Sequence, residues 1–169
     1  MKEQNQTLDS DSVESTVQII VFGLHSDKSK KEDYGVNIEQ VREIRFSENI
    51  TTVPNAPPYV KGVMNLRGKI ITVIDTKKKL GFSDVENNLK PRVLIVDLQG
   101  TIMGFLVDEV SQVMRISLND IEQNPATTSE SEQYVKGIAK TQGRLIVLLD
   151  LEKLLLEKNL QQTAREKNC

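Results

Sequence analysis

The chain repeats itself. Tyr59-Val-Lys-Gly62 recurs 75 residues later as Tyr134-Val-Lys-Gly137. The same offset pairs Gly68 with Gly143, Ile71 with Ile146, Asp75 with Asp150, Lys78 with Lys153 and Leu80 with Leu155, so nine of the 22 positions from 59 to 80 are identical. Upstream, QIIVFGL at 18–24 matches RVLIVDL at 92–98, and YGVNIEQVREI at 34–44 matches MGFLVDEVSQV at 103–113. Three segments in one order mark a duplication, so the 169 residues divide into two copies of a unit of about 65–75 residues.

Each copy reads as mainly β. The runs 17–24, 34–46, 59–66, 69–74 and their counterparts are rich in Val and Ile and bounded by Gly, Asn, Asp or Pro. Arg67-Gly68 and Gln142-Gly143 fall between apolar runs and read as hairpin turns, with Asn65 leading into the first. Asp75 and Asp150 follow a strand and precede helix-compatible segments, as N-caps do. The first helix stops at Gly81, a good C′ residue, while Leu151, Leu154, Leu155 and Leu160 give a longer second helix one apolar face. Four or five short strands are too few for an open sandwich, and closing them into a small barrel removes their exposed edges. The expected architecture is therefore a pair of fused barrels over 16–157: unit one at about 17–82, a linker at about 83–91 and unit two at about 92–156. Residues 1–15 are a polar segment expected to be mobile, and the end at 158–169 is expected to fray.

The inventory of side chains limits the chemistry. One histidine, His25, and one cysteine, Cys169, cannot supply a disulfide framework or a four-ligand zinc site within one chain. A net charge of −2 and only seven aromatics, none of them Trp, argue against nucleic-acid and base-stacking surfaces. The longest apolar run is Leu145–Leu149, against the roughly 20 residues a membrane helix needs, and no signal-like apolar segment follows the start. No phosphate-cradling or nucleophile-elbow motif occurs. Asp75 and Asp150 resemble an acid–base pair only until their matched positions before helices are noticed, which favours caps. His25, in the charged insertion HSDKSKKED, reads as a solvated loop residue, and Lys77-Lys78-Lys79 as a solvated helix face. The expectation is a cytoplasmic protein with no catalytic residue, no metal and no cofactor.

Two patterns point elsewhere. Ile38, Val41 and Ile44, matched by Val107, Val110 and Val113, recur every third residue, which strand alternation forbids unless a bulge or tight turn intervenes. Two readings stay open: all six are core, or some of them rim a groove that admits a partner's helix. The second pattern is a break in the repeat. Arg67 stands opposite neutral Gln142, and Glu43 opposite neutral Gln112. An arginine at a rigid turn can present a fork of donors to a partner, or can simply be solvated.

The stretch VREI…VPNAPPYVKGVMNLRGKIITVIDTKKKLG at 41–81 resembles the most diagnostic segment of the bacterial chemotaxis coupling (CheW-like) family. GFLVDEV at 104–110 and YVKGIAKTQGRLIVLLDLEKLL at 134–155 are similar to its second half, and the resemblance runs in order over about 17–156. It implies two intertwined five-stranded SH3-like β-barrels, with short helices after each unit and a C-terminal helix. It also implies a non-enzymatic adaptor that is monomeric when free. Such an adaptor couples the cytoplasmic tips of methyl-accepting chemotaxis receptors to the regulatory domain of the histidine kinase CheA, in arrays at the inner face of the cytoplasmic membrane. Carried over by position, the receptor groove takes Ile20, Ile38, Val41 and Ile44, and the sensitive charged positions are Glu43 and Arg67. Gly62, Asn65, Gly68, Asp75, Gly137, Gly143 and Asp150 are structural motif residues. The insertion 25–33 is longer than the turn usual there. A detached kinase regulatory domain is the alternative within the same fold. An oligonucleotide-binding barrel would need basic and aromatic residues interleaved on its strands, which are not seen.

Overall fold

Two uninterrupted apolar runs set the architecture. In the computed structural model, which describes residues 15–26, 30–83, 89–123 and 134–155, they form strands β1 (Thr16–His25) and β6 (Arg92–Leu98). A strand that carries an unbroken apolar run, Ile19–Phe22 in β1 and Val93–Val96 in β6, is stable only when both of its faces are covered. Ile19 and Val21 of β1 face one small core, while Ile20, Phe22 and Leu24 face another. In β6, Val93 and Ile95 point into a third core and Leu94, Val96 and Leu98 into the one shared with β1. Each run is thus the wall between a barrel interior and a common central core.

Unit one continues with β2 (Lys31–Asn37), β3 (Val41–Phe46), β4 (Val60–Leu66) and β5 (Lys69–Asp75). Unit two continues with β7 (Thr101–Val107), β8 (Glu109–Ser117), β9 (Ile121–Gln123), β10 (Val135–Thr141) and β11 (Arg144–Leu149). The barrels do not follow the units. One sheet has the order β3-β6-β7-β5-β4 and the other β8-β1-β2-β11-β10-β9. The first two strands of each copy have crossed into the other copy's sheet, where each exchanged pair lies between host strands, antiparallel on one side (β1 on β8, β6 on β3) and parallel on the other (Val147 opposite Tyr34, Val73 opposite Gly104). The expected intertwining is therefore a reciprocal exchange of β-hairpins. We call the sheet holding β3, β4 and β5 barrel one and the other barrel two.

The exchange needs sharp turns where the sequence suggests continuous strands. The run expected as one strand over 34–46 is broken by a 3₁₀ turn at Ile38–Gln40, whose start is capped by the Asn37 side chain accepting from the Glu39 N–H at 2.9 Å. Asp108 makes the equivalent bend between β7 and β8. Both β3 and β8 also carry a register shift against their neighbours, β6 and β1. Turn and bulge together reconcile the period-three apolar pattern with strand geometry.

The two-residue turns behave as X-Gly sequences do in hairpins. Arg67 and Gly68 have φ of 51° and 85°, Gln142 and Gly143 51° and 72°, and the Asn65 side chain accepts from the Gly68 N–H at 2.8 Å. Asp75 and Asp150 accept from the Lys78 and Lys153 N–H groups at 3.3 and 3.1 Å, opening the helical turns Thr76–Lys79 and 151–155. The remainder of the second helix expected through Leu160 lies outside the described residues, as do most of the expected N-terminal tail and the middle of the linker. Gly62 and Gly137 sit where each sheet's ends meet. A Cβ on Gly62 would stand 2.2 Å from the Thr51 carbonyl oxygen, and one on Gly137 2.6 Å from that of Glu122. In barrel one that approach is the Thr51–Val63 bridge, while in barrel two it has grown into β9, a sixth short strand beyond the five expected.

Two expectations about charge are corrected. His25 is not a solvated loop residue. It ends β1, paired with Lys31 across an extended hairpin, and its N–H donates to Asp108 Oδ2 at 2.7 Å. Lys77 is no part of a solvated face either, since its ammonium meets the same buried Asp108 at 3.0 Å. Lys79 lies over the Tyr59 ring at 4.3 Å. The insertion after β1 therefore prolongs a hairpin that ion pairs tie to the other unit: Lys31 to Glu109, and Arg144 to Asp33 at 2.7 Å.

Candidate functional site

The crossover from β2 to β3 carries the proposed groove residues from the middle of the molecule to its surface. Ile38 and Val41 are half-buried against the shared core. Ile44 stands directly opposite Leu94, so it occupies the same sheet face as that core residue. At the end of the face it is 42% exposed. Ile20 is different. It is 4% exposed and packed within the shared core, so its side chain offers a partner no surface. In the other copy Val107 is buried, Val110 is half-buried, and Val113, opposite Ile20, is 51% exposed. The reading that all six are core fails at Ile44 and Val113: each triplet runs from the core outwards.

Beside Ile44 the charged positions come together. Edge strands β3 and β4 lie at opposite ends of the barrel-one sheet, and where their backbones are not bonded a side-chain seam joins them. Arg67 Nη1 donates to Glu43 Oε2 at 2.8 Å, while Arg45 Nη1 donates to Glu43 Oε1 at 3.0 Å. Each arginine thus has its own carboxylate oxygen. The hydrogen bond from Arg45 is the largest effect on the Glu43 carboxyl and holds it below the usual range; desolvation, the next largest, opposes it, and the hydrogen bond from Arg67 and the two guanidinium charges add to the lowering. Arg67, at 73% exposure, keeps most of its donors available to solvent. The seam floors a shallow depression of about 790 Å³ lined by Glu43, Ile44, Phe46, Met64, Asn65 and Arg67. Phe46 is 54% exposed, and the Arg92 guanidinium lies 4.1 Å over its ring.

The arrangement is suited to contact with a partner surface. It offers an apolar shoulder, a half-exposed aromatic ring and a forked cation whose direction is set by a rigid turn. Among the described residues no group of three or more His, Cys, Asp or Glu side chains is placed to hold a metal. No helix there is long and apolar enough to cross a membrane. A second opening of about 320 Å³ in barrel two is lined mostly by apolar side chains, including Val17, Ile19, Leu118 and Leu148.

The reading of the sequence picked out Glu43 and Arg67 and missed Arg45 and Phe46. A signal for both was present in the repeat. The registers of β3 on β6 and of β8 on β1 equate Glu43 with Gln112 and Arg45 with Met114, and the same spacing equates Phe46 with Arg115. All three positions break the repeat, as Arg67 against Gln142 does.

Comparison with known proteins places this geometry. The model of the CheW-like domain matches residues 18–159. The chemotaxis protein CheW of Thermotoga maritima is 40% identical over 124 residues, 72% of this chain and 77% of the relative. That of Rhizobium meliloti is 34% identical over 122 residues, 72% of this chain and 79% of the relative. Among solved structures, the scaffolding protein TtCheW from Thermoanaerobacter tengcongensis superposes with a TM-score of 0.72 at 37% identity, covering 80% of this chain and 90% of that one. The duplicated, hairpin-exchanged chain belongs to the CheW-like domain family.

Proposed function

We propose that this chain is a non-enzymatic adaptor of bacterial chemotaxis. It binds the cytoplasmic tip of methyl-accepting receptors and the regulatory domain of the histidine kinase CheA, and so helps build receptor–kinase arrays at the inner face of the cytoplasmic membrane. Membership of the CheW-like family supports the reading, as do relatives named for chemotaxis and for scaffolding. The observation that carries it is the surface at the end of β3. Exposed Ile44 continues the shared core outwards beside the Glu43–Arg67 pair, and the other copy keeps the apolar residue but not the charges.

A receptor tip is a helical hairpin, and the apolar stripe of a helix needs an apolar shoulder of this kind. Ile38, Val41 and Ile44 form that shoulder. Arg67 and Glu43 at its rim set orientation and discriminate partners more than they add affinity. The kinase domain takes a second patch at the barrel ends. The unit that folds and works is 16–157 as a whole, because each barrel contains strands of both copies.

Titration calorimetry of the full chain tests this, with a soluble receptor-tip hairpin and the regulatory domain of CheA as separate titrants. Both bind in the proposed account. Arg67→Ala leaves the fold intact and weakens the hairpin complex. Failure of both titrants to bind refutes the adaptor function.

A further inference from the structure

Arg45 does not reach outwards as Arg67 does, yet it holds the other oxygen of the same carboxylate. We infer that Arg45 is a positioning residue: it anchors Glu43, so that Arg67 can leave Glu43 for an acidic side chain on the bound helical partner. This rests on the adaptor reading and names the chemistry that the receptor-facing site recognises.

Three observations carry it. First, the two arginines use different oxygens, Oε1 and Oε2, so departure of Arg67 leaves the Arg45 bond in place. Without Arg45, Arg67 would be the sole partner of Glu43, and moving it would strand a carboxylate on a partly covered seam. Second, Arg67 alone is mounted for exchange. Its backbone is set by the hairpin turn and the Asn65–Gly68 hydrogen bond, while its side chain is the most exposed of the three. Third, all three members are missing together from the second copy, where Gln112, Met114 and Gln142 stand in their places and Met114 is buried. Barrel two folds without the triad, so the barrel architecture does not require it. The depression beside the triad places Ile44 and Phe46 next to the released guanidinium, so an acidic residue flanked by apolar ones on a helix matches the surface.

The test is a double-mutant cycle on the full chain, read by calorimetry against a soluble receptor-tip hairpin. Arg45→Gln is expected to weaken binding about two- to fivefold, the range of an exposed ion pair. Arg45→Lys, which keeps the charge, is expected to restore part of the loss. In a Glu43→Gln background Arg67 is already free, so adding Arg45→Gln is expected to change affinity no further. An equal loss in both backgrounds, or no loss in either, overturns the role of Arg45 and leaves the adaptor reading standing. A wild-type protein that does not bind the hairpin overturns the adaptor reading and this inference with it.

Discussion

Replacing Gly62 with alanine tests how barrel one is closed. The new methyl would sit 2.2 Å from the Thr51 carbonyl oxygen and 2.8 Å from its carbon, where ordinary contact begins at 3.4 Å. Both obstacles are backbone, so no rotamer relieves them, and the two chains must part by about an ångström. The Thr51–Val63 bridge consists of two hydrogen bonds of 2.8 Å, one in each direction, and that displacement removes both. At about 0.5–1.5 kcal/mol each, their loss amounts to about 1–3 kcal/mol. Alanine recovers about 0.4–1 kcal/mol through the unfolded chain, leaving a net destabilisation of about 1.3 kcal/mol at the midpoints and at most about 2.6 kcal/mol. Gly137→Ala meets a single carbonyl at 2.6 Å and should cost less. Urea unfolding followed by circular dichroism measures both variants. A Gly62→Ala midpoint equal to that of wild type, or above that of Gly137→Ala, would refute the closure argument.

Other perturbations probe separate parts of the account. Asp108→Ala strands the half-buried Lys77 ammonium and the His25 N–H that Asp108 accepts from, so unfolding by urea should show a loss of about 3 kcal/mol, largely recovered by adding Lys77→Met. Because its two arginines hold Glu43 below the usual carboxyl range, the stability it contributes is present above the ordinary carboxylate pKa and disappears as pH falls through the lower folded value. Glu43→Gln should therefore be less stable than wild type at pH 7, and the gap should close in strongly acidic buffer, as thermal melts across pH would record. Ile44→Asp should melt near wild type and lose receptor-hairpin binding, whereas Ile20→Asp should fail to fold because its side chain lies in the shared core. Equal melting losses in the two variants would place Ile44 in the core.

What the sequence reveals follows the range of the chemistry. The Asp75 and Asp150 caps and the Arg67-Gly68 and Gln142-Gly143 turns are decided within four residues, so pattern alone finds them. The duplication is equally plain. Reciprocal hairpin exchange is not, because β1 and β6 present the same apolar run whichever barrel they enter. The choice is made by the Ile38–Gln40 turn and the Asp108 bend. Ile20 shows the same ambiguity at one residue. Within Ile19-Ile20-Val21-Phe22 both faces are apolar, and nothing local says which reaches the surface. His25 and Lys77 look solvated because their partner, Asp108, lies in the other copy. Glu43 and Arg67 stand out as breaks in the repeat, yet their contact across the seam requires the barrel to be closed. Arg45 and Phe46 break the repeat as well, against Met114 and Arg115, a difference that shows only when β3 is set position by position against β8.

In the proposed function one chain holds two partners at once through distinct surfaces. Sedimentation velocity on a mixture of the full chain, a soluble receptor-tip hairpin and the regulatory domain of CheA decides whether it does. The account predicts a ternary species containing all three, which Ile44→Asp reduces to a binary complex of adaptor and kinase domain. Two mutually exclusive binary complexes, or free components alone, would contradict it.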